Sequence, residues 1–170
     1  MDRKMILIKS MSLFFLLVYG CTAPHYIWSQ KDIGFHEINA PVLEKKLLIA
    51  SRDSEFKQAL IDKIAGAFAD RSIYIKIVGV EALADEDANA YAAVVIINTA
   101  MGWTVDVPVE AFLEKYGEMD SIIVLTTADG GDVFPDMENR NIDAISSASV
   151  IDQVGPLADA MIGKIDRLLD

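Results

Sequence analysis

At 170 residues, 52% hydrophobic and 24% charged, the chain is long enough for one globular domain and too apolar for wholesale disorder. Fifteen basic against 26 acidic residues leave a net charge of −11, which argues against nucleic-acid binding, because neutralising phosphates requires Lys and Arg. A single cysteine excludes an internal disulfide, and two histidines are too few for a His-rich metal cage.

The chain opens with Arg3, Lys4 and Lys9, followed by the apolar run Met11–Tyr19 and then Gly20-Cys21. About ten such residues cross only half of a ~30 Å hydrocarbon core, so residues 1–20 read as a secretory signal and are set aside from the fold. Val18-Tyr19-Gly20-Cys21 resembles the bacterial lipoprotein processing motif. The resemblance implies that Cys21 is lipidated, becomes the first residue, and holds the protein to a membrane on the exported side of the cell envelope. The plain alternative is an ordinary cleaved signal, or a short anchor, with an incidental thiol. Removal of residues 1–20 takes away Asp2 and the three cations, so the mature chain carries −13. Residues 21–44 read as a tether punctuated by Pro24, Gly34 and Pro41. Tyr26, Ile27, Trp28 and Phe35 are apolar enough for part of it to pack on the domain or at a membrane interface.

From residue 45 to residue 170 the pattern alternates between apolar runs and helical periodicity. Lys46–Ser51 is a buried strand, and Phe56, Leu60, Ile61, Ile64 and Phe68 then recur on one face of a helix. Ile73, Ile75 and Ile77 mark a second strand, and Glu81–Tyr91 one short helix and a turn. Ala92–Ile97 is the most apolar strand; Val109, Phe112, Leu113 and Tyr116 mark the next helix, with Pro108 in its first turn. Ile122–Leu125 is the fourth strand, residues 128–141 a loop with Gly130-Gly131 and Pro135, and Ile142–Ser146 a short fifth strand. Gly155-Pro156 read as cap and first residue of a last helix carrying Leu157, Met161, Ile162, Ile165, Leu168 and Leu169. Near-continuous apolar strands joined by helices mean an α/β fold with a parallel sheet covered on both faces. Right-handed crossovers leave the doubly wound order 2-1-3-4-5 as the natural arrangement of five strands.

In such a sheet a ligand sits beyond the carboxyl ends of the strands, at the switch point between the first and third. Three stretches therefore matter: Ser51–Lys57, Asn98–Asp106 and Thr126–Asp136. Lys46-Leu47-Leu48-Ile49-Ala50-Ser51 entering a helix resembles the start of a flavodoxin. Ala93–Asn98 followed by Trp103 resembles its third strand and aromatic loop, and Leu125-Thr126-Thr127 with Gly130-Gly131 its fourth strand and second flavin loop. The resemblance implies a flavodoxin-like, five-stranded doubly wound domain holding FMN and exchanging electrons with a redox partner protein. It implies contacts from Ser51, Arg52, Ser54, Asn98, Thr99, Trp103, Thr126, Thr127, Gly130 and Gly131, with Trp103 stacked on the ring and Phe134 a candidate for its other face. The first loop, Ser51-Arg52-Asp53-Ser54, is two residues shorter than a flavodoxin phosphate loop and has no glycine to shape a nest of amides.

The same residues have plainer readings. Ser54 serves as a helix N-cap with Glu55 in the first turn, and Trp103 as a loop aromatic over its own sheet. Asp129, Asp132 and Asp136 invite a hard cation, but scattered acids in a Gly-rich loop are usually solvated. Asp143–Ser149 resembles the signal for covalent FMN attachment in exported flavoproteins, which implies a flavin phosphoester on Ser149. Two functional classes follow: an envelope-anchored FMN electron carrier, and a cofactor-free binding module on a lipoprotein. A phosphoacceptor receiver is excluded, because the third strand ends at Asn98 and no lysine follows the fifth. A serine hydrolase is excluded by the lack of a Gly-x-Ser-x-Gly elbow, with His25 and His36 both in the tether.

Overall fold

The computed structural model describes residues 30–102, 104–129 and 133–170. Six strands, β1 (His36–Ile38), β2 (Lys45–Ser51), β3 (Ile73–Gly79), β4 (Ala93–Thr99), β5 (Ile122–Thr127) and β6 (Asp143–Ser147), form one sheet in the order β1-β3-β2-β4-β5-β6. Every pairing is parallel except β1 with β3. The five strands expected from the apolar runs thus stand in the expected order. The sixth, β1, is drawn from residues expected to be tether. Three residues with the sequence His-Glu-Ile leave no hydrophobic signature, yet they cover the edge of β3, whose backbone groups would otherwise be open to pairing with another chain.

Helices α1 (Glu55–Phe68), α2 (Val107–Tyr116) and α3 (Val154–Leu169) complete the layers. α1 starts where Ser54 Oγ accepts the Lys57 N–H at 3.2 Å, and it buries Phe56, Leu60, Ile61, Ile64 and Phe68. α3 begins at Val154, earlier than expected, with Gly155 and Pro156 inside its first turn and Gln153 at the cap. It lays Val154, Ala158, Met161, Ile165 and Leu169 beside α1 on one face of the sheet. Each such Leu or Ile contributes about 1.5–3 kcal/mol by leaving water.

The opposite face packs Val109, Phe112, Leu113 and Tyr116 of α2 against Leu48, Val94, Ile96 and Val124. Two 3-10 helices, Val80–Asp85 and Ala88–Ala90, stand where a short α-helix was expected, and the first of them covers this face through Val80 and Leu83. The described residues between β5 and β6 contain no helix. Among the described residues no helix is long and apolar enough to cross a membrane.

Candidate functional site

Buried polar groups are costly unless hydrogen-bonded, so their location marks where a fold tolerates expense. Among the described residues the buried polar and charged side chains are Ser51, Arg52, Lys57, Asn98, Asp106, Thr126 and Thr127. All seven lie at the carboxyl ends of β2, β4 and β5 or in the segments that leave them. The switch point between β2 and β4 is therefore the polar centre of the molecule.

Arg52 leaves β2 on the α2 side and is nearly enclosed. Its Nε and Nη2 donate to the two carboxylate oxygens of Asp106 at 3.0 and 3.2 Å. Nη1 donates to Asp32 Oδ1 at 2.7 Å, and Nη2 also donates to Glu81 Oε1 at 2.8 Å. Asp106 holds the N-cap position of α2, but its carboxylate makes no capping bond and turns to the guanidinium instead. Burial by itself lowers the Arg52 pKa. The hydrogen bonds to Asp106 and Glu81 and the charges of Asp106 and Asp32 more than offset it, and the group ends above the ordinary arginine value.

On the α1 side Lys57 is buried, and its Nζ donates to Thr99 Oγ1. Burial and the nearby Arg52 charge push its pKa down to about 8, against the pull of Asp106 and Asp53. Asn98 Nδ2 donates to Leu125 O at 3.2 Å and Thr126 Oγ1 at 3.1 Å, while Thr127 Oγ1 donates to Asn98 O at 3.0 Å. These bonds tie the ends of β4 and β5 together and leave buried Asn98 Oδ1 without a protein partner.

The segment Lys31–Ile33 closes the first loop. Ile33 N–H donates to Ser51 O at 3.2 Å, and Asp53 N–H donates to Lys31 O at 2.7 Å. Asp32 takes its place beside Gly79, where an added Cβ would come within 2.4 Å of its carboxylate. Its Oδ2 accepts the Glu81 N–H at 3.0 Å, so one carboxylate joins the strap to the end of β3 and to Arg52. The Arg52 N–H donates to Ile97 O at 3.1 Å. Asp53, one residue ahead of the α1 cap, accepts from Lys31 Nζ and Gln58 Nε2, and the first of these bonds holds its carboxyl below the usual carboxylate range.

These contacts decide the fit of an FMN phosphate. Such a group needs free amides and cations at the mouth of the first crossover. Here the amides of Arg52 and Asp53 bond to their own chain, and the Arg52 guanidinium carries three carboxylates. Asp53 adds a fourth negative charge at the helix start. At Arg52 and Asp53 the first loop as folded offers a phosphate neither a free amide nor an unpaired guanidinium.

The structure places the expected site residues as follows. Ser51 Oγ donates to Arg52 O at 2.7 Å, and Ser54 is the helix cap. Asn98, Thr99, Thr126 and Thr127 are brought together, but chiefly as partners of each other and of Lys57. Trp103, Gly130, Gly131, Asp132 and Cys21 lie outside the described residues. Gly102, at φ 61°, makes the tight Met101–Thr104 turn possible. Asp143–Ser147 of the flavinylation-like segment is β6, and Ser149 follows it, exposed. Among the described residues no cluster of His, Cys, Asp and Glu is arranged to hold a metal. Asp32 and Glu81 were not expected at the site, and Asp106 ends one of the expected stretches without having been singled out in it. Only Asp106, two residues before Pro108 at a helix start, carried a local signal, and that signal was for a cap.

No family model and no curated protein matches the chain. Among solved structures it is similar to a flavodoxin from the domain Archaea, with a TM-score of 0.53 at 8% identity, covering 72% of this chain and 98% of that one. It is also similar to the Flv1 flavodiiron core from Synechocystis sp. PCC6803, with a TM-score of 0.54 at 12% identity, covering 75% of this chain and 36% of that one. The domain has a flavodoxin-like fold.

Proposed function

We propose that this chain is an envelope-anchored, flavodoxin-like interaction module whose cofactor seat is filled by its own charges. The observation that carries the reading is the Arg52 guanidinium bonded to Asp106, Asp32 and Glu81 beneath the Lys31–Ile33 strap. A charged side chain so surrounded has no strong bond left to give a phosphate, and three carboxylates repel one. The lipobox-like Val18-Tyr19-Gly20-Cys21 supports attachment through a lipid on Cys21. In this reading the fold presents a rigid surface at the membrane and the protein performs no redox chemistry.

The competing reading, FMN-dependent electron transfer, is favoured by the fold, which is shared with a flavodoxin and a flavodiiron core. Fluorescence titration of FMN with the detergent-extracted protein separates the two. The interaction-module reading expects no saturable quenching up to roughly 100 μM protein. Saturable quenching would restore FMN to the loops that carry Ser51, Ser54, Asn98, Trp103 and Thr126.

A further inference from the structure

Three features of the molecule meet at one end. The strap Lys31–Ile33 enters across the carboxyl ends of β2 and β3, so the chain from Cys21 arrives there. The buried polar cluster lies at the same end. So do most of the exposed large apolar side chains of the described residues: Phe35 before β1, Val107 after β4, Phe134 after β5, and Val150 and Ile151 after β6. Phe134 is held there because the Val133 N–H donates to Ser146 Oγ, near the end of β6, at 3.1 Å. Of that exposed apolar set, only Val42 and Met137 lie toward the opposite end.

The geometry points to a lipid surface as the occupant of this end: the carboxyl edge of the sheet, led by Phe134, Val150 and Ile151, rests on the bilayer that holds Cys21. The inference rests on the anchoring proposed above. Residues 22–29 separate Cys21 from the first described residue, and eight residues reach at most about 29 Å. The seven-residue strand β2 is itself about 23 Å long, so the amino edge lies a full strand length farther from the anchor. Asp129, Asp136 and Asp152, all exposed in these same loops, restrict the contact to headgroup depth, with the apolar side chains entering the interface and the carboxylates remaining in water.

The test is hydrogen exchange on the membrane-extracted protein in phosphatidylcholine vesicles, compared with the same protein in detergent. Mass spectrometry of its N-terminal peptide is run alongside. Residues 133–136 and 148–153 are expected to exchange roughly fivefold or more slowly on vesicles, with residues 117–120 and 138–141 at the far end unchanged. The double variant Phe134→Asp/Ile151→Asp, on exposed side chains, is expected to keep its melting temperature and lose the protection. Lipidated Cys21 without protection, or with protection at the far end, overturns the docking and leaves the anchor standing. Protection in native membranes but not in lipid vesicles assigns the surface to a protein and overturns the lipid occupant. An unmodified Cys21 overturns both.

Discussion

Replacing Arg52 with methionine keeps the side-chain volume and removes the charge that three carboxylates share. The cost follows from how wet each carboxylate is. Asp106 has a side chain only 2% exposed, so taking the guanidinium away from it costs about 3–5 kcal/mol. Asp32 is a quarter exposed and adds at most about 1 kcal/mol, while Glu81, at 66% exposed, contributes almost nothing. R52M is therefore expected to lose about 3–5 kcal/mol in urea denaturation. Asp106→Asn in the same chain removes the buried negative charge and keeps a competent N-cap residue, so R52M/D106N is expected to recover about 2–3 kcal/mol of that loss. A loss below about 1 kcal/mol for R52M, or a double variant as unstable as the sum of the singles, would refute the claim that the site is an internally paired ion cluster.

Burial holds Lys57 at about 8, below its ordinary 10.5. Below pH 8 both folded and unfolded chains are protonated there; above it the unfolded chain binds the extra proton, so stability rises with pH until about 10. Lys57→Met should abolish that rise, as read by urea melts across pH. Burial and Glu37 push Tyr74 up to about 12, and burial and Glu86 raise Tyr91, so the wild-type curve should fall again above pH 10, where the unfolded tyrosines ionise first. Gly79→Ala forces Asp32 aside and should speed tryptic cleavage after Lys31 several-fold; an unchanged rate would mean that the strap does not depend on that gap. Ser54→Ala should cost about 1 kcal/mol and Ser54→Gly only a few tenths, whether or not FMN is present, which is the behaviour of a cap rather than a phosphate ligand.

The sheet was legible because its strands are buried on both faces. Leu47–Ala50, Ala93–Ile97 and Ile122–Leu125 are unbroken apolar runs, and parallel pairing followed from the helices between them. β1 was not legible, because an edge strand needs backbone pairing and not an apolar face, and two of the three residues His36-Glu37-Ile38 are polar. At the site, Ser54 was read both as an FMN contact and, more plainly, as a helix cap, and the bond present is the cap. The ion cluster around Arg52 was invisible. The partners of Arg52 lie 20, 29 and 54 residues away in sequence, and only the crossovers bring them together. A lone arginine leaving a buried strand announces that partners exist without naming them.

The absorption spectrum of the protein isolated by mild detergent from its own membranes, before any dialysis, tests the central claim most directly. A self-filled switch point predicts a colourless preparation with no flavin band at any stage. A yellow protein that releases FMN on denaturation, in amounts approaching one per chain, would show that Arg52 and its carboxylates part to admit a phosphate.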